Sequence, residues 1–317
     1  MLGVDASSGI LERMIVRCIC SVKWRRDAGA RRACGNRAVS PMNEHWSFAS
    51  ASPATVLDMT DKPDAKPPTA LITGASSGIG LAIAHRFAGA GWSIIPAARR
   101  VDRLRALAQE IGDRCHPLEL DIADTARAAA VIEALPPAFQ EIDLLVNAAG
   151  VALGDGPAQE VPWEDLQQTI ETNTLGLAAI THAVLPQMVA RRSGDIVNIG
   201  SIAGSYPYPK GHVYGASKAF VRQFSLNLRA DLAGLGIRVL CIEPGTTETE
   251  FAAVRMRQDV TRVQEFYGGR RLLKAEDVAE VVFFAVQLPR HVNLNIVEMM
   301  PTDQTFSFFR FAEPSEG

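Results

Sequence analysis

Ala70-Leu71-Ile72-Thr73-Gly74-Ala75-Ser76-Ser77-Gly78-Ile79-Gly80-Leu81-Ala82-Ile83-Ala84-His85-Arg86-Phe87 is the stretch whose reading decides the fold. A short apolar run, a glycine-punctuated turn and a segment with apolar residues at helical spacing follow one another, closed by Gly89 and Gly91. That order reads strand, turn, helix. A turn leading straight from a strand into a helix aims backbone N–H groups outward at the positive helix end, where an anion is held. Gly74 allows the tight turn, Gly78 lets the backbone approach a pyrophosphate, and Gly80 permits close packing of helix on strand. The loop Gly74-Ala75-Ser76-Ser77-Gly78-Ile79 is therefore the expected phosphate cradle of a dinucleotide site. A Gly-rich turn of purely structural use is the competing reading; the strand and helix on either side favour the cradle. The spacing, Gly-x-x-x-Gly-x-Gly, differs from the Gly-x-Gly-x-x-Gly of long-chain dinucleotide binders.

Working outward, Ser93-Ile94-Ile95-Pro96-Ala97-Ala98 reads as the next strand and ends at Arg99-Arg100. An NAD site carries an acidic residue here, about 20 residues past the glycines, to bind the ribose 2′-hydroxyl. Two arginines instead suit a 2′-phosphate, with which guanidinium groups form charge-assisted, often bidentate bonds. NADP(H) is the cofactor these residues predict. The competing reading is a solvated basic turn, to which nearby Arg103 and Arg105 belong.

Leu118–Ile122 is a third expected strand, with Asp121 either accepting from an adenine amino group or capping the helix that starts near Thr125. Ile122 is placed beside it in the cofactor site. Ile142–Asn147 is a buried strand leading into Ala148-Ala149-Gly150, small enough to leave room for a ribose; Asn147 either ties strands together or contacts adenosine. A helical stretch spans about Leu166–Arg191, then come strands Asp195–Ile199, Ile237–Ile242 and Leu294–Met300. Strands alternating with helical segments over residues 69–300 predict one α/β domain of Rossmann type, doubly wound, with a mostly parallel sheet flanked by helices.

Tyr214-Gly215-Ala216-Ser217-Lys218 opens a helix continued by Phe220, Phe224 and Leu228. Tyr and Lys at i and i+4 share one helical face, about 6 Å apart at their Cβ atoms. A free phenol, with a pKa near 10, is a poor base at neutral pH, and a neighbouring ammonium stabilises the phenolate. Ser201, at the carboxyl end of its own strand, is placed to hold a substrate oxygen beside that phenol. Taken singly, a Tyr-x-x-x-Lys pair reads as a surface helix pair and a serine after a strand as a turn former.

Thr73-Gly74-x-x-x-Gly78-x-Gly80, Asn147-Ala148-Ala149-Gly150, Asn173, Ser201, Tyr214-x-x-x-Lys218 and Pro244-Gly245 occur in the order of the short-chain dehydrogenase/reductase family, which the chain resembles over about residues 68–301. The resemblance implies Tyr214 as general acid/base, Ser201 as donor to the substrate oxygen, and Lys218 as ribose ligand that also lowers the Tyr214 pKa. It implies that the Asn173 backbone holds a water linking Lys218 to solvent, and that Pro244, Gly245 and Thr249 contact cofactor. Ala148 departs from a motif that often has a second Asn there. Within the family, Gly200–Tyr208, Ala219–Arg229 and His291–Asn295 followed by Glu298-Met299-Met300-Pro301 resemble the bacterial NADP-dependent 3-hydroxy acid dehydrogenases, also described as serine or L-allo-threonine dehydrogenases and malonic semialdehyde reductases. That likeness implies oxidation of a 3-hydroxy acid to a 3-oxo acid, and a homotetramer.

A 3-hydroxy acid needs a cation for its carboxylate, and Arg255 is the candidate. It belongs to a group of Arg255, Arg257, Arg262, Arg270, Arg271 and Arg290 that favours an anionic substrate. Thr246–Phe251 is one residue shorter than in the subgroup it resembles. Two other function classes stand beside this one: a reductase of another carbonyl, such as a 3-oxoacyl thioester or hydrophobic ketone, and a non-catalytic NADPH-binding sensor or scaffold.

Composition sets the outer bounds. The chain has 317 residues, 47% hydrophobic and 21% charged, enough apolar residue for a sizeable core. No run of about 18 apolar residues occurs, so no membrane association is expected. Residues 1–58 carry eight Lys/Arg against five acids, while the remainder is acidic, so no nucleic-acid partner is expected. Five cysteines show neither metal spacing nor a disulfide framework, and six histidines are dispersed; no metal is expected, and the cytoplasm is the expected compartment. Residues 1–64 lack periodicity and read as an extension, disordered or preceding the true start, with Met42 and Met59 as later starts. An organelle-targeting peptide is the competing reading of that segment. The domain proper is expected over 65–317.

Overall fold

The computed structural model describes residues 66–306. The extension expected over residues 1–64 lies outside the described residues.

The chain runs β1 (Thr69–Thr73), α1 (Gly78–Gly89), β2 (Ser93–Ala98), α2 (Val101–Ile111), β3 (Leu118–Glu119), α3 (Ala128–Glu133), β4 (Leu144–Asn147), α4 (Trp163–Ile170), α5 (Leu177–Arg191), β5 (Gly194–Ile199), α6 (His212–Asp231), β6 (Ile237–Pro244), β7 (Thr247–Glu248), α7 (Phe251–Arg255), α8 (Val260–Tyr267), β8 (Leu273–Lys274), α9 (Ala275–Gln287) and β9 (Ile296–Met299). Seven strands form one sheet in the order β3-β2-β1-β4-β5-β6-β9, with every pairing parallel. The sheet is parallel throughout, as expected of βαβ units whose helices cover both faces. Strands β1, β2, β4, β5 and β6 are buried along their whole length, which accounts for their continuous apolar runs rather than alternation. One core layer packs Ile83, Phe87, Val278 and Val282 of α1 and α9 against the sheet; the other packs Ile180, Val184 and Leu228 of α5 and α6.

Three boundaries differ from the sequence reading. The ladder of β3 covers only Leu118–Glu119, because Leu120–Ile122 bend away to line the site. The long helical stretch is α4 and α5 joined by a π-type turn over Glu171–Gly176. Gly176 in that turn lies so near β3 that a Cβ there would fall 2.5 Å from the Ile122 carbonyl oxygen. The segment after Gly245 contains α7, α8 and the small parallel pair β7–β8, none of which the periodicity indicated. Pairing of Thr247 with Leu273 and of Glu248 with Lys274 closes residues 247–274 into a lid.

Strand order reverses between β1 and β4, which run outward to β3 on one side and β9 on the other. In open parallel sheets this switch point, at the carboxyl ends of the strands, is where a crevice forms.

Candidate active site

A cavity of about 490 Å³ opens at that switch point, lined by the glycine loop, the ends of β2, β4, β5 and β6, and the lid. Gly74 (φ +69) and Gly78 (φ +54) both occupy the left-handed region that side chains disfavour. A Cβ on Gly74 would fall 2.8 Å from the Ala149 backbone, so the loop lies directly against the end of β4. Ser77 precedes α1, yet its hydroxyl does not cap the helix. It accepts instead from Arg100 Nη2 at 2.5 Å, and Ser76 Oγ accepts from Arg100 Nε at 3.0 Å. The first-turn N–H groups of a helix have no intrahelical partner. Uncapped N–H groups, two hydroxyls and a guanidinium converging on positive-φ glycines fit a pyrophosphate flanked by a further phosphate.

Ser76, Ser77, Gly78, Ile79, Arg99, Arg100, Asp121, Ile122, Pro244, Gly245 and Thr249 all line the cavity, as does Gly74. Asp121 does not cap the helical turn at Thr125, whose N-cap is Asp124; its Oδ1 accepts from the Ala123 N–H at 3.1 Å while the side chain borders the cavity. Arg99 is more exposed and faces Asp121 at 3.8 Å. Two expected cofactor ligands require correction. Asn147 is buried below β4, where Nδ2 donates to Thr181 Oγ1 and Asn198 Oδ1; it ties β4 to β5 and α5 and does not border the cavity. Ala75 is fully buried in the core, with its N–H 3.3 Å from the Ala97 carbonyl, so it anchors the loop rather than contacting a ligand. The missing second Asn at Ala148 is covered by Thr73, whose Oγ1 accepts from the N–H groups of Ala148 and Ala149 at 3.1 Å.

Ser201, Tyr214 and Lys218 come together on the cavity wall. Tyr214 sits in the first turn of α6, its ring 5.5 Å from that of Phe251. Burial pushes the Tyr214 phenol well above its ordinary value, and the neighbouring phenol of Tyr208 adds to this; the hydrogen bond with Ser201 and the positive charge of Arg255 pull it back. Lys218 is 6% exposed, and burial pulls its ammonium down to about 8. Its Nζ donates to the Ile199 carbonyl at 2.8 Å and lies 5.8 Å from the Tyr214 ring centroid. In this geometry the groups that favour the phenolate are Ser201 and Arg255; Lys218 is aimed at the cavity floor.

Asn173 lies in the π-type turn, a device that recurs at functional sites. Its side chain is fully engaged: Oδ1 accepts from the Val151 N–H, and Nδ2 donates to the Val151 carbonyl and to Ser217 Oγ. A Cβ on Gly150 would lie 3.4 Å from both Asn173 Oδ1 and Lys218 Nζ, so this backbone passes between the two. Asn173 does not border the cavity; its side chain ties the Val151 backbone to Ser217, the neighbour of Lys218 on α6.

Of the six arginines read as a group, Arg255 alone borders the cavity. Arg257, Arg262, Arg271 and Arg290 pair with Asp165, Asp155, Asp303 and Asp195, and Arg270 donates to the Phe266 carbonyl. Arg255 donates to Tyr208 Oη at 3.2 Å and to the Lys210 carbonyl at 3.1 Å. Sequence reasoning missed Tyr208 and Glu250, and counted Arg103 on the side of a solvated turn. Arg103 stands one helical turn after Arg100, a spacing that puts both on one face, and its Nη1 reaches the Ser76 carbonyl. Among the described residues no group of His, Cys, Asp and Glu is placed to hold a metal, and no helix is long and apolar enough to cross a membrane.

Residues 68–259 match the family model of the short-chain dehydrogenases. The chain is 50% identical to sulfoacetaldehyde reductase 2 of Chromohalobacter salexigens over 242 residues, 75% of this chain and 96% of that one. It is 48% identical to the NADP-dependent 3-hydroxy acid dehydrogenase of Salmonella typhi over 238 residues, 75% of this chain and 96% of that one. Among solved structures it is similar to the closed form of serine dehydrogenase complexed with NADP+, at 46% identity and a TM-score of 0.76 over 77% of this chain and 99% of that one. The chain belongs to the short-chain dehydrogenase family, and it is an oxidoreductase with a Rossmann-type fold.

Proposed function

We propose that this chain is an NADP(H)-dependent oxidoreductase that interconverts a short 3-hydroxy acid, such as serine, L-allo-threonine or 3-hydroxypropionate, and the corresponding carbonyl compound. Arg255 carries the reading: it is the one arginine of its group at the cavity, on the wall shared by Ser201 and Tyr214. A guanidinium that gives one N–H to Tyr208 and one to the Lys210 carbonyl keeps N–H groups for a substrate anion. A hydrophobic ketone would leave that charge unpaired.

When bound, the nicotinamide supplies or accepts the hydride. The Ser201 hydroxyl donates to the substrate oxygen and holds it beside Tyr214 Oη. In reduction Tyr214 donates its proton to that oxygen as the carbon receives hydride; in oxidation it takes the proton back. Its raised pKa suits the acid role, since the phenol stays protonated through neutral pH. The Lys218 ammonium, on the cavity wall, would donate to the hydroxyls of the nicotinamide ribose. The Asn173 backbone, fixed by the side-chain bonds to Val151 and Ser217, would hold a water through which Lys218 exchanges protons with solvent. Arg100 and Ser77 take the 2′-phosphate, with Arg99 adding charge. Asp121 and Ile122 would border the adenine, and Pro244, Gly245 and Thr249, which line the same cavity, would contact the nicotinamide side.

A second reading has the same chemistry with a sulfonate in place of the carboxylate. It is favoured by the relative named sulfoacetaldehyde reductase 2, since a guanidinium fork accepts either anion. A homotetramer in the cytoplasm completes the proposal; Trp163, Ile170, Leu175 and Phe220, exposed apolar residues of α4, the π-type turn and α6, support burial against another copy. The test is an initial-rate panel of 3-hydroxy acids, hydroxyalkyl sulfonates and neutral alcohols of equal length, each with NADP and NAD. Anionic substrates with NADP are expected to lead; a preference for neutral alcohols would remove Arg255 from the account.

A further inference from the structure

Glu250 is the last residue before α7, and its carboxylate lies between two arginines. Oε2 accepts from Arg100 Nη1 at 2.8 Å, and Oε1 and Oε2 accept from Arg103 Nη1 at 2.8 Å and 2.9 Å. The same Arg100 fork holds Ser76 Oγ and Ser77 Oγ, and the same Arg103 nitrogen reaches the Ser76 carbonyl. Glu250 thus sits in the cradle that a 2′-phosphate requires, about 150 residues along the chain from the arginines it meets. These two hydrogen-bonded cations hold its carboxyl below its ordinary value, Arg100 most strongly, so at neutral pH it is an anion, as the cofactor phosphate is.

Its position is not that of a freely swinging surface glutamate. The preceding residues are pinned: Thr247 and Glu248 pair with β8, and Tyr267 Oη donates to the Thr249 carbonyl at 3.0 Å. Thr249 packs 3.3 Å from where a Gly78 Cβ would stand, so the lid meets the phosphate loop at this point. Directly after Glu250, α7 carries Phe251 against Tyr214 and Arg255 against Tyr208.

We propose that Glu250 is a built-in competitor for the 2′-phosphate, which must displace its carboxylate from Arg100 and Arg103, and so sets how strongly the site prefers NADP over NAD. Two anions cannot share one guanidinium edge without repulsion, whereas a 2′-hydroxyl leaves the carboxylate in place and can donate to it. Glu250 therefore subtracts from NADP binding and spares NAD. The proposal rests on the reading of Arg100 as the 2′-phosphate ligand.

The experiment is calorimetric titration of 2′,5′-ADP and of 5′-AMP, which lacks only the 2′-phosphate, into the full chain and its Glu250→Gln and Arg100→Ala variants. Glutamine keeps the shape and removes the charge. Glu250→Gln is expected to tighten 2′,5′-ADP about five- to tenfold, as for one close like-charge contact removed, and to leave 5′-AMP within about twofold. Unchanged or weaker binding of 2′,5′-ADP overturns the proposal. Equal weakening of both nucleotides overturns it too, as that marks a residue that only props the lid. Arg100→Ala tests the underlying reading separately: it must erase the difference between the two nucleotides. If it does so while Glu250→Gln changes nothing, the competitor falls and the phosphate site stands.

Discussion

Lys218 and Arg238 are both buried cations, 6% and 7% exposed, and they stand at opposite ends of the same sheet. Arg238, on β6 near the amino ends of the strands, has its charge answered from several sides. Nε and Nη2 donate to the two carboxylate oxygens of Asp195, and Nη1 and Nη2 donate to the carbonyls of Leu288 and Val286. Arg290 adds a second cation to the same aspartate. Lys218, at the carboxyl ends, has the Ile199 carbonyl and, among the described residues, no carboxylate partner. A buried charge that is fully hydrogen-bonded and paired holds structure together, while one left short of partners costs stability and stays available to a ligand. The comparison teaches where this fold tolerates an uncompensated charge: at the strand ends that open on the cavity.

Three results would break or sharpen that contrast, beginning with the largest. Tyr214→Phe removes the proton donor and is expected to lower kcat about a thousandfold while the chain still binds NADP(H), read by steady-state rates and cofactor fluorescence. Retained turnover would show that the cavity end carries no proton chemistry through this residue. Arg255→Ala is expected to raise KM for anionic substrates about 10- to 100-fold, with neutral alcohols changed little, because one charge-assisted contact is lost. Equal effects on both substrate types would make Arg255 part of the lid scaffold only. The smallest effect is on pH dependence. With its ammonium at about 8 against an ordinary 10.5, Lys218 is charged below pH 8 and loses its charge as pH rises through 8. Carbonyl reduction is therefore expected to decline several-fold above that pH, and Lys218→Arg, whose guanidinium stays charged, should move the decline upward in a pH–rate profile.

The legibility of the molecule followed how local each feature is. The strands and α1 are continuous apolar or helical patterns, and residues 69–98 carry the whole first βαβ unit in their own order. The meeting of Ser201, Tyr214 and Lys218 at one cavity was legible because each follows a strand end or opens a helix that the pattern already places. The lid was not. Helices α7 and α8 have five and eight residues, too short to be stable without packing, so propensity gives them little signal. Asp259, whose carboxylate accepts from the Arg262 N–H, was a start signal for α8 that went unused. Glu250 meets Arg100 from far along the chain, and no local pattern announces such a contact. Asn147 was left between two roles because residue type does not tell which way a strand residue points; one position along the chain separates the buried Asn147, bonded to Asn198 of β5, from the cavity-lining Ala148.

Unfolding of Lys218→Met and Arg238→Met, measured side by side across pH, tests the central contrast most directly. The shift of Lys218 from 10.5 to about 8 corresponds to a folding cost of about 3 kcal/mol at neutral pH. That cost is fully present below pH 8 and is relieved between 8 and 10.5, where the unfolded chain binds the extra proton. Lys218→Met is thus expected to abolish activity without lowering the unfolding midpoint, and any gain over the parent chain should shrink as pH rises through that window. Arg238→Met, which strips Asp195 of its buried partner, should cost about 3–5 kcal/mol and leave the activity of the folded fraction intact. A Lys218 variant that is destabilised yet active, or an Arg238 variant that folds as well as its parent, would contradict the account.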